Sequence, residues 1–236
     1  MHLAEATWTD VRDAAPDLAV LPVGSTEQHG PHAPLGTDCL TAEAVATAGV
    51  ESHDGDALLA PTVPVGVAEE HRAFAGTLWV SPETFRAYVR ETVASLAGHG
   101  VAGVVVVNGH GGNSAALREA CARLTRDGVV AAAPFTWFEA VDPEVAMGHG
   151  GPLETALVRH VRRDLIHEDR LDAAAEGGSD RWGEWVAGTN LAYDVDAFSE
   201  NGVVGDPREG SADLGERLLA EAAAALAELL DAVAGR

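Results

Sequence analysis

The chain has 236 residues, 47% of them hydrophobic, and a formal net charge of −22. That length can bury a sizeable core, and no run of about 18 apolar residues offers a membrane span. All 15 basic residues are arginine, and so large an acid excess repels phosphates, which argues against nucleic acid and anionic membrane as partners.

Self-repulsion of this kind is screened by salt, so the composition points to a halophilic, salt-rich source cytoplasm. The opening "MHLAEATWTDVRDAAPD" lacks a basic and then apolar leader, which makes the cytoplasm the expected location. Cys39 and Cys121 form neither a metal motif nor a disulfide framework and are expected to be buried free thiols.

In chain order, residues 17–24 ("DLAVLPVG") read as a short buried strand. Residues 38–50 read as a helix, with Thr37 or Asp38 placed to cap it. "ALLAPTVPVG" (57–66) is strand-like, although Pro61 and Pro64 demand an edge or a bulge, and "TLWV" is a further extended piece. "SPETFRAYVRETVASLAGHG" opens on a Ser-Pro cap and first-turn pair and closes on Gly. "VAGVVVVN" is a continuous β-branched run, hence a strand buried on both faces. A helix over about 113–126, a strand in "GVVAAAPFTWF" and a helix in "GPLETALVRHVRRDL" follow. Residues 172–210 look irregular. The terminal helix carries Leu214, Leu218, Leu226, Leu229 and Val233 near one face. Alternating strands and helices predict one α/β domain over residues 1–236 with a largely parallel sheet, whose ligands bind beyond the carboxyl ends of the strands.

Five of the ten histidines (His29, His32, His71, His110 and His149) fall in Gly- or Pro-rich loops or just after extended segments. In "STEQHGPH", Glu27 and His29 are two apart, which on an extended chain points both to one side. Asp38 follows after a turn. Glu, His and Asp together suit Zn²⁺, Mn²⁺ or Fe²⁺, although helix capping and surface pairing would also account for the carboxylates. His110 in "VVVVNGHGGN" sits between glycines just past the buried strand. A dinucleotide fingerprint fits poorly there, since its third glycine position is Ser114, and a phosphate-binding P-loop would need a lysine. In "GHGGPLET", Glu154 lies in a first helical turn, where a carboxylate is favourable in any case. No G-x-S-x-G elbow marks a serine nucleophile.

Together "VGSTEQHGPHAPLGTD", "GVAEEHRAFAGTLWVS", "VVNGHGGN", "GHGGPLETAL" and "ENGVVGDP", in this order over residues 21 to about 207, resemble the creatininase family of metal-dependent amidohydrolases. The resemblance implies a three-layer αβα domain with a two-metal centre. It assigns Glu27, His29, Asp38 and His110 as ligands, with Asp38 bridging the metals. Creatininase proper has Glu two residues after the His of "NGH"; here that position is Gly112, and Glu154 would supply the carboxylate. A second departure is Ala156, where many relatives have Ser. His149 is the implied proton donor to the leaving nitrogen. Glu70 and His71 would line the substrate pocket, Arg72 and Arg181 are the cations available to a phosphate, and His32 would sit behind the ligands or face the substrate.

Known relatives cut three amides: the formamide of a ribosylaminopyrimidine phosphate in flavin and deazaflavin synthesis, the mycofactocin precursor and creatinine. The composition ranks the deformylase first, the mycofactocin-type peptidase second and creatininase third. A non-catalytic metal-binding scaffold is the alternative of another class. The loop 177–194, with Trp182, Trp185 and Tyr193, would cap the site or form a subunit contact, and a ring-like homo-oligomer such as a hexamer is implied.

Overall fold

The computed structural model describes residues 1–235. Its elements in chain order are α1 (Trp8–Ala14), β1 (Leu18–Val23), α2 (Thr37–Ser52), β2 (Ala57–Leu59), α3 (Pro82–Gly98) and β3 (Gly103–Asn108). They continue as α4 (Ser114–Arg126), β4 (Ala131–Thr136), α5 (Pro152–Val161), α6 (Leu171–Glu176), the hairpin β5 (Trp185–Val186) and β6 (Thr189–Asn190), and α7 (Ala212–Ala234). β1 to β4 form one parallel sheet in the order β2-β1-β3-β4.

The period of two along the strands sorts the core into two layers. Leu18 and Val20 of β1, with Val105 and Val107 of β3, face α2, α5 and α7. Ala19, Leu21 and Val23, with Val104 and Val106, face α3 and α4. Both faces of the sheet are therefore covered, which is why all six residues of β1 and of β3 are buried. This is the three-layer αβα architecture.

Pro22 is tolerated in this central strand for a simple reason. The carbonyls of Val20 and Pro22 point toward the β2 side, so the hydrogen that Pro22 lacks would point there too, beyond the end of β2 at Leu59.

Local expectations are corrected at several places. Gly36 precedes α2 with no side-chain cap, and Thr37 and Asp38 both lie inside the first turn and are buried; Asp38 is turned into a polar cluster instead of back onto the helix. "TLWV" makes a single bridge, Leu78 to Thr26, and beyond Leu59 the second extended segment holds the sheet only by the Ala60 N–H to the Val20 carbonyl and an isolated bridge of Val63 to Val23. The prolines at 61 and 64 interrupt the ladder there. Residues 171–176 are helical. In α7 Leu230 is fully buried, as Leu226 is, whereas Leu229 is only partly covered. Ser81 and Ser211 cap α3 and α7 by accepting from the Thr84 and Leu214 N–H groups. Cys121 is buried and Cys39 half-buried; both thiols are free, and burial pushes both up to about 12.

Because the chain runs from β1 outward to β2 and then crosses to β3 on the other side of β1, the crevice at the carboxyl ends of β1 and β3 is the topological switch point of the sheet.

Candidate metal centre

Five chain segments deliver side chains to that crevice. The loop after β1 brings Glu27 and His29, and the first turn of α2 brings Asp38. A short turn over Glu69–His71 brings His71. The residue two past β3 is His110, and the loop into α5 and that helix's first turn bring His149 and Glu154. All seven side chains are buried.

Their ligand atoms fall into overlapping sets, each with every atom within 4.8 Å of the others: Glu27, Asp38 and His110; His29, His149 and Glu154; and Glu27, His71 and His149. Asp38 faces both ways. Its Oδ1 lies 3.0 Å from His29 Nε2 and its Oδ2 3.3 Å from His110 Nδ1. Glu27 Oε1 lies 3.1 Å from His110 Nδ1, and Glu154 Oε1 lies 3.7 Å from His29 Nε2.

The donor chemistry fits divalent cations. Both carboxylate oxygens of Glu27 and the Oδ2 of Asp38 are buried without a hydrogen-bond partner, a costly arrangement for anions unless a cation joins them. The histidines are prepared in the same sense. His29 Nδ1 faces the Glu27 carbonyl at 3.1 Å, His110 Nε2 faces that of Val67 at 2.7 Å, and His149 Nε2 faces that of Gln28 at 2.6 Å. A carbonyl only accepts, so each outer nitrogen carries the hydrogen and each neutral ring turns a lone pair inward, as metal-binding histidines do.

Charge follows this arrangement. Burial opposes ionisation of Asp38, but His29 and His110 outweigh it and hold its carboxyl below the usual range. Burial likewise opposes charging of His29 and His110, yet Asp38 and Glu154 around the first and Glu27 and Asp38 around the second raise both above the ordinary imidazole value. These carboxylates draw in positive charge, whether a proton or a metal ion. His149 goes the other way: burial, then the neighbouring His29, lowers it and keeps its ring neutral. His29 and His71 pack on either side of His149, each with ring centroids 4.3 Å from it.

A cavity of about 450 Å³ opens onto this cluster. Glu70, His71, His110, His149 and Glu154 form its polar wall, and Phe138, Met147, Trp182 and Trp185 its apolar one. Burial raises the Glu70 carboxyl, which lies 3.9 Å from His110 Nε2. A larger cavity of about 1020 Å³ lies beyond Trp185, with Arg181, Glu184 and Asp206 in its walls, and holds none of the seven clustered side chains.

Arg72, expected at the pocket, lies elsewhere, whereas His32 takes the place behind the ligands that was one of its two expected positions. Arg72 is drawn outward by Asp194, whose Oδ2 is 2.7 Å from its guanidinium. His32 is fully buried behind the cluster, 2.9 Å from Thr155 Oγ1, and burial followed by the charge of His29 pushes it down to about 4. Tyr193 is 81% exposed, whereas Trp182 reaches His149 at 6.2 Å between centroids. Sequence reasoning gave no part to Gln28, Asn108 or Asn113. Asn108 holds both the N–H and the carbonyl of His110, and Asn113 ties the Val67 N–H to the Gly24 carbonyl. A polar residue between two ligands, or beside one, is the only sign of such roles in the sequence.

A family model, Creatininase (creatinine amidohydrolase), matches residues 4–230. The chain belongs to the creatininase family. It is thus a hydrolase of amide C–N bonds, and the buried His, Glu and Asp side chains form clusters able to bind metal. It is 38% identical over 208 residues to the mycofactocin precursor peptide peptidase of Mycolicibacterium smegmatis, covering 86% of this chain and 80% of that one. It is 30% identical over 199 residues to the creatinine amidohydrolase of Pseudomonas putida, covering 72% and 75%. A crystal structure of creatinine amidohydrolase (creatininase) superposes with a TM-score of 0.80 at 24% identity over 98% of this creatininase-family chain and 96% of the other, a likeness of fold.

Proposed function

We propose that this creatininase-family hydrolase is a two-metal peptidase that cuts an amide bond of a short peptide, in the manner named for its mycofactocin-peptidase relatives. The observation that carries the reading is the 38% identity over 86% of the chain, against 30% over 72% for creatinine amidohydrolase. The site supports it. At Gly112, where creatininase proper has Glu, a Cβ would collide with the Val67 carbonyl and the His110 ring, and Glu154 supplies a carboxylate from another element.

The formylaminopyrimidine nucleotide, ranked first on sequence, has less support. Arg72 is engaged by Asp194, and among the described residues no arginine lines the inner cavity to meet a phosphate. Phe138, Met147, Trp182 and Trp185 suit an apolar or aromatic side chain better.

In this reading Glu27, Asp38 and His110 would hold one metal and His29 and Glu154 the other, with Asp38, whose two oxygens face His29 and His110, available to both. Two divalent ions there, zinc, manganese or iron, would supply an acidified water as nucleophile and polarise the substrate carbonyl. His149, neutral and with its Nδ1 lone pair facing the site, accepts a proton during attack and passes it to the leaving nitrogen. Its role as donor therefore begins with acceptance. Thr155 and His32 brace the start of α5 behind Glu154. The active form is a cytoplasmic homo-oligomer, which light scattering on the purified protein would register as a multiple of 24.4 kDa.

Purified metal-loaded protein should be offered a mycofactocin precursor peptide, creatinine and the formylaminopyrimidine nucleotide, with products read by mass spectrometry. Peptide cleavage is the expected result. Hydrolysis of either small molecule with the peptide left intact would remove the proposal, and full metal occupancy with no turnover of any of the three would favour a scaffold.

A further inference from the structure

His71 is the histidine of this cluster that neither the metal assignment nor the proton transfer uses, although its Nε2 lies 3.3 Å from Glu27 Oε1 and shares a potential ligand set with Glu27 and His149. The reason lies behind the ring. His71 Nδ1 is 2.8 Å from Gln28 Nε2. The orientation of that amide is fixed by backbone on both sides: Oε1 accepts from the Gly30 N–H at 2.9 Å, and Nε2 donates to the Gly202 carbonyl at 3.0 Å. An NH₂ group can only donate, so its second hydrogen goes to His71, Nδ1 must accept, and the neutral ring carries its proton on Nε2.

This is the reverse of His29, His110 and His149, whose outer nitrogens face carbonyls and whose inner nitrogens therefore carry lone pairs. Three rings present lone pairs to the crevice and one presents an N–H.

We propose that Gln28 is a positioning residue that fixes His71 in the Nε2–H tautomer, keeping it off the metals and making it a hydrogen-bond donor to the oxygen of the scissile amide. A preorganised donor at that oxygen favours the tetrahedral state, in which the oxygen gains charge. The same geometry accounts for the "ENG" of "ENGVVGDP". Gly202 has a φ of +85° and carries the carbonyl that holds Gln28, and any Cβ on it would overlap the Gln28 amide. The catalytic half of the inference rests on the hydrolytic function proposed above; the tautomer does not.

The test is long-range ¹H–¹⁵N NMR of the zinc-loaded, ¹⁵N-labelled protein, in which protonated and bare ring nitrogens have distinct shifts. His71 is expected to show a protonated Nε2 and a bare Nδ1. In Gln28→Glu the carboxylate cannot donate and instead accepts from Nδ1, so the proton should move to Nδ1. The kcat for the cleaved amide should fall by about 10²-fold, with KM little changed. Gln28→Met, which removes the donor without adding charge, serves if Gln28→Glu does not fold, and should give a mixture of tautomers with a smaller loss of kcat. A wild-type His71 protonated on Nδ1 overturns the proposal, as does Gln28→Glu with an unmoved proton, or a moved proton with unchanged kcat. Failure of the peptide assay would instead strike the proposed function and leave the NMR result standing.

Discussion

Gly109 lies against the backbone of Asp38 so closely that a single Cβ on it would fall onto the Asp38 carbonyl. Gly24, at the end of β1, approaches the same turn, with a built Cβ only 2.6 Å from the Cys39 nitrogen. The two glycines seat the first turn of α2 directly on the ends of the two central strands, and that contact sets the position of the carboxylate between His29 and His110. Gly109→Ala should therefore displace Asp38. The expected outcome is a loss of bound metal by elemental analysis, with the far-ultraviolet dichroism of the fold retained; full metal content would contradict the account.

Asp38→Ala should abolish both bound metals and turnover, because both of its oxygens face the cluster. Isothermal titration with zinc reads the sites, and a variant that still binds two ions or still turns over would refute the bridging role.

Glu154→Gln should act more locally. Glu154 faces His29 and accepts from the Gly150 N–H at 2.6 Å, so the change should weaken one metal while leaving the set of Glu27, Asp38 and His110 intact. Metal content near one ion per chain is expected; loss of both, or of neither, would argue against two separable sites.

Stripping metal should destabilise the fold, because it leaves the buried oxygens of Glu27 and Asp38 unpartnered. A metal present at about 100 times its dissociation constant contributes about 2.7 kcal/mol, or roughly 5–10 °C in Tm for a chain of this size. Calorimetry with and without a chelator measures it, and equal melting temperatures would count against a structural stake in the ions.

Ser81→Ala removes an N-cap that accepts from the Thr84 N–H at 3.2 Å, far from the crevice. It should cost about 1 kcal/mol and lower Tm by roughly 2–4 °C, with kcat unchanged.

The net charge of −22 predicts melting that rises from low to molar KCl as repulsion is screened. A flat or falling dependence would remove the halophilic reading.

The sequence by itself determined the αβα layering, because β-branched runs such as "VVVVN" can be buried only under helices on both faces and the helices announce themselves by period and cap. It also marked Glu27, His29, Asp38, His110, His149 and Glu154 as chemically unusual, through their clustering in glycine-rich loops and their order along a family-like pattern. It could not tell a capping Asp38 from a ligand, because both roles place a carboxylate in the same first turn. Nor could it tell that Arg72 turns outward, since its partner Asp194 lies 122 residues away. Tertiary structure alone showed that Asp38 turns into the cluster and Arg72 away from it, together with the direction in which each imidazole carries its hydrogen. A ring's tautomer is set by the group behind it, a carbonyl for His110 and an amide donor for His71, and such neighbours meet only when distant loops converge on the ends of the strands.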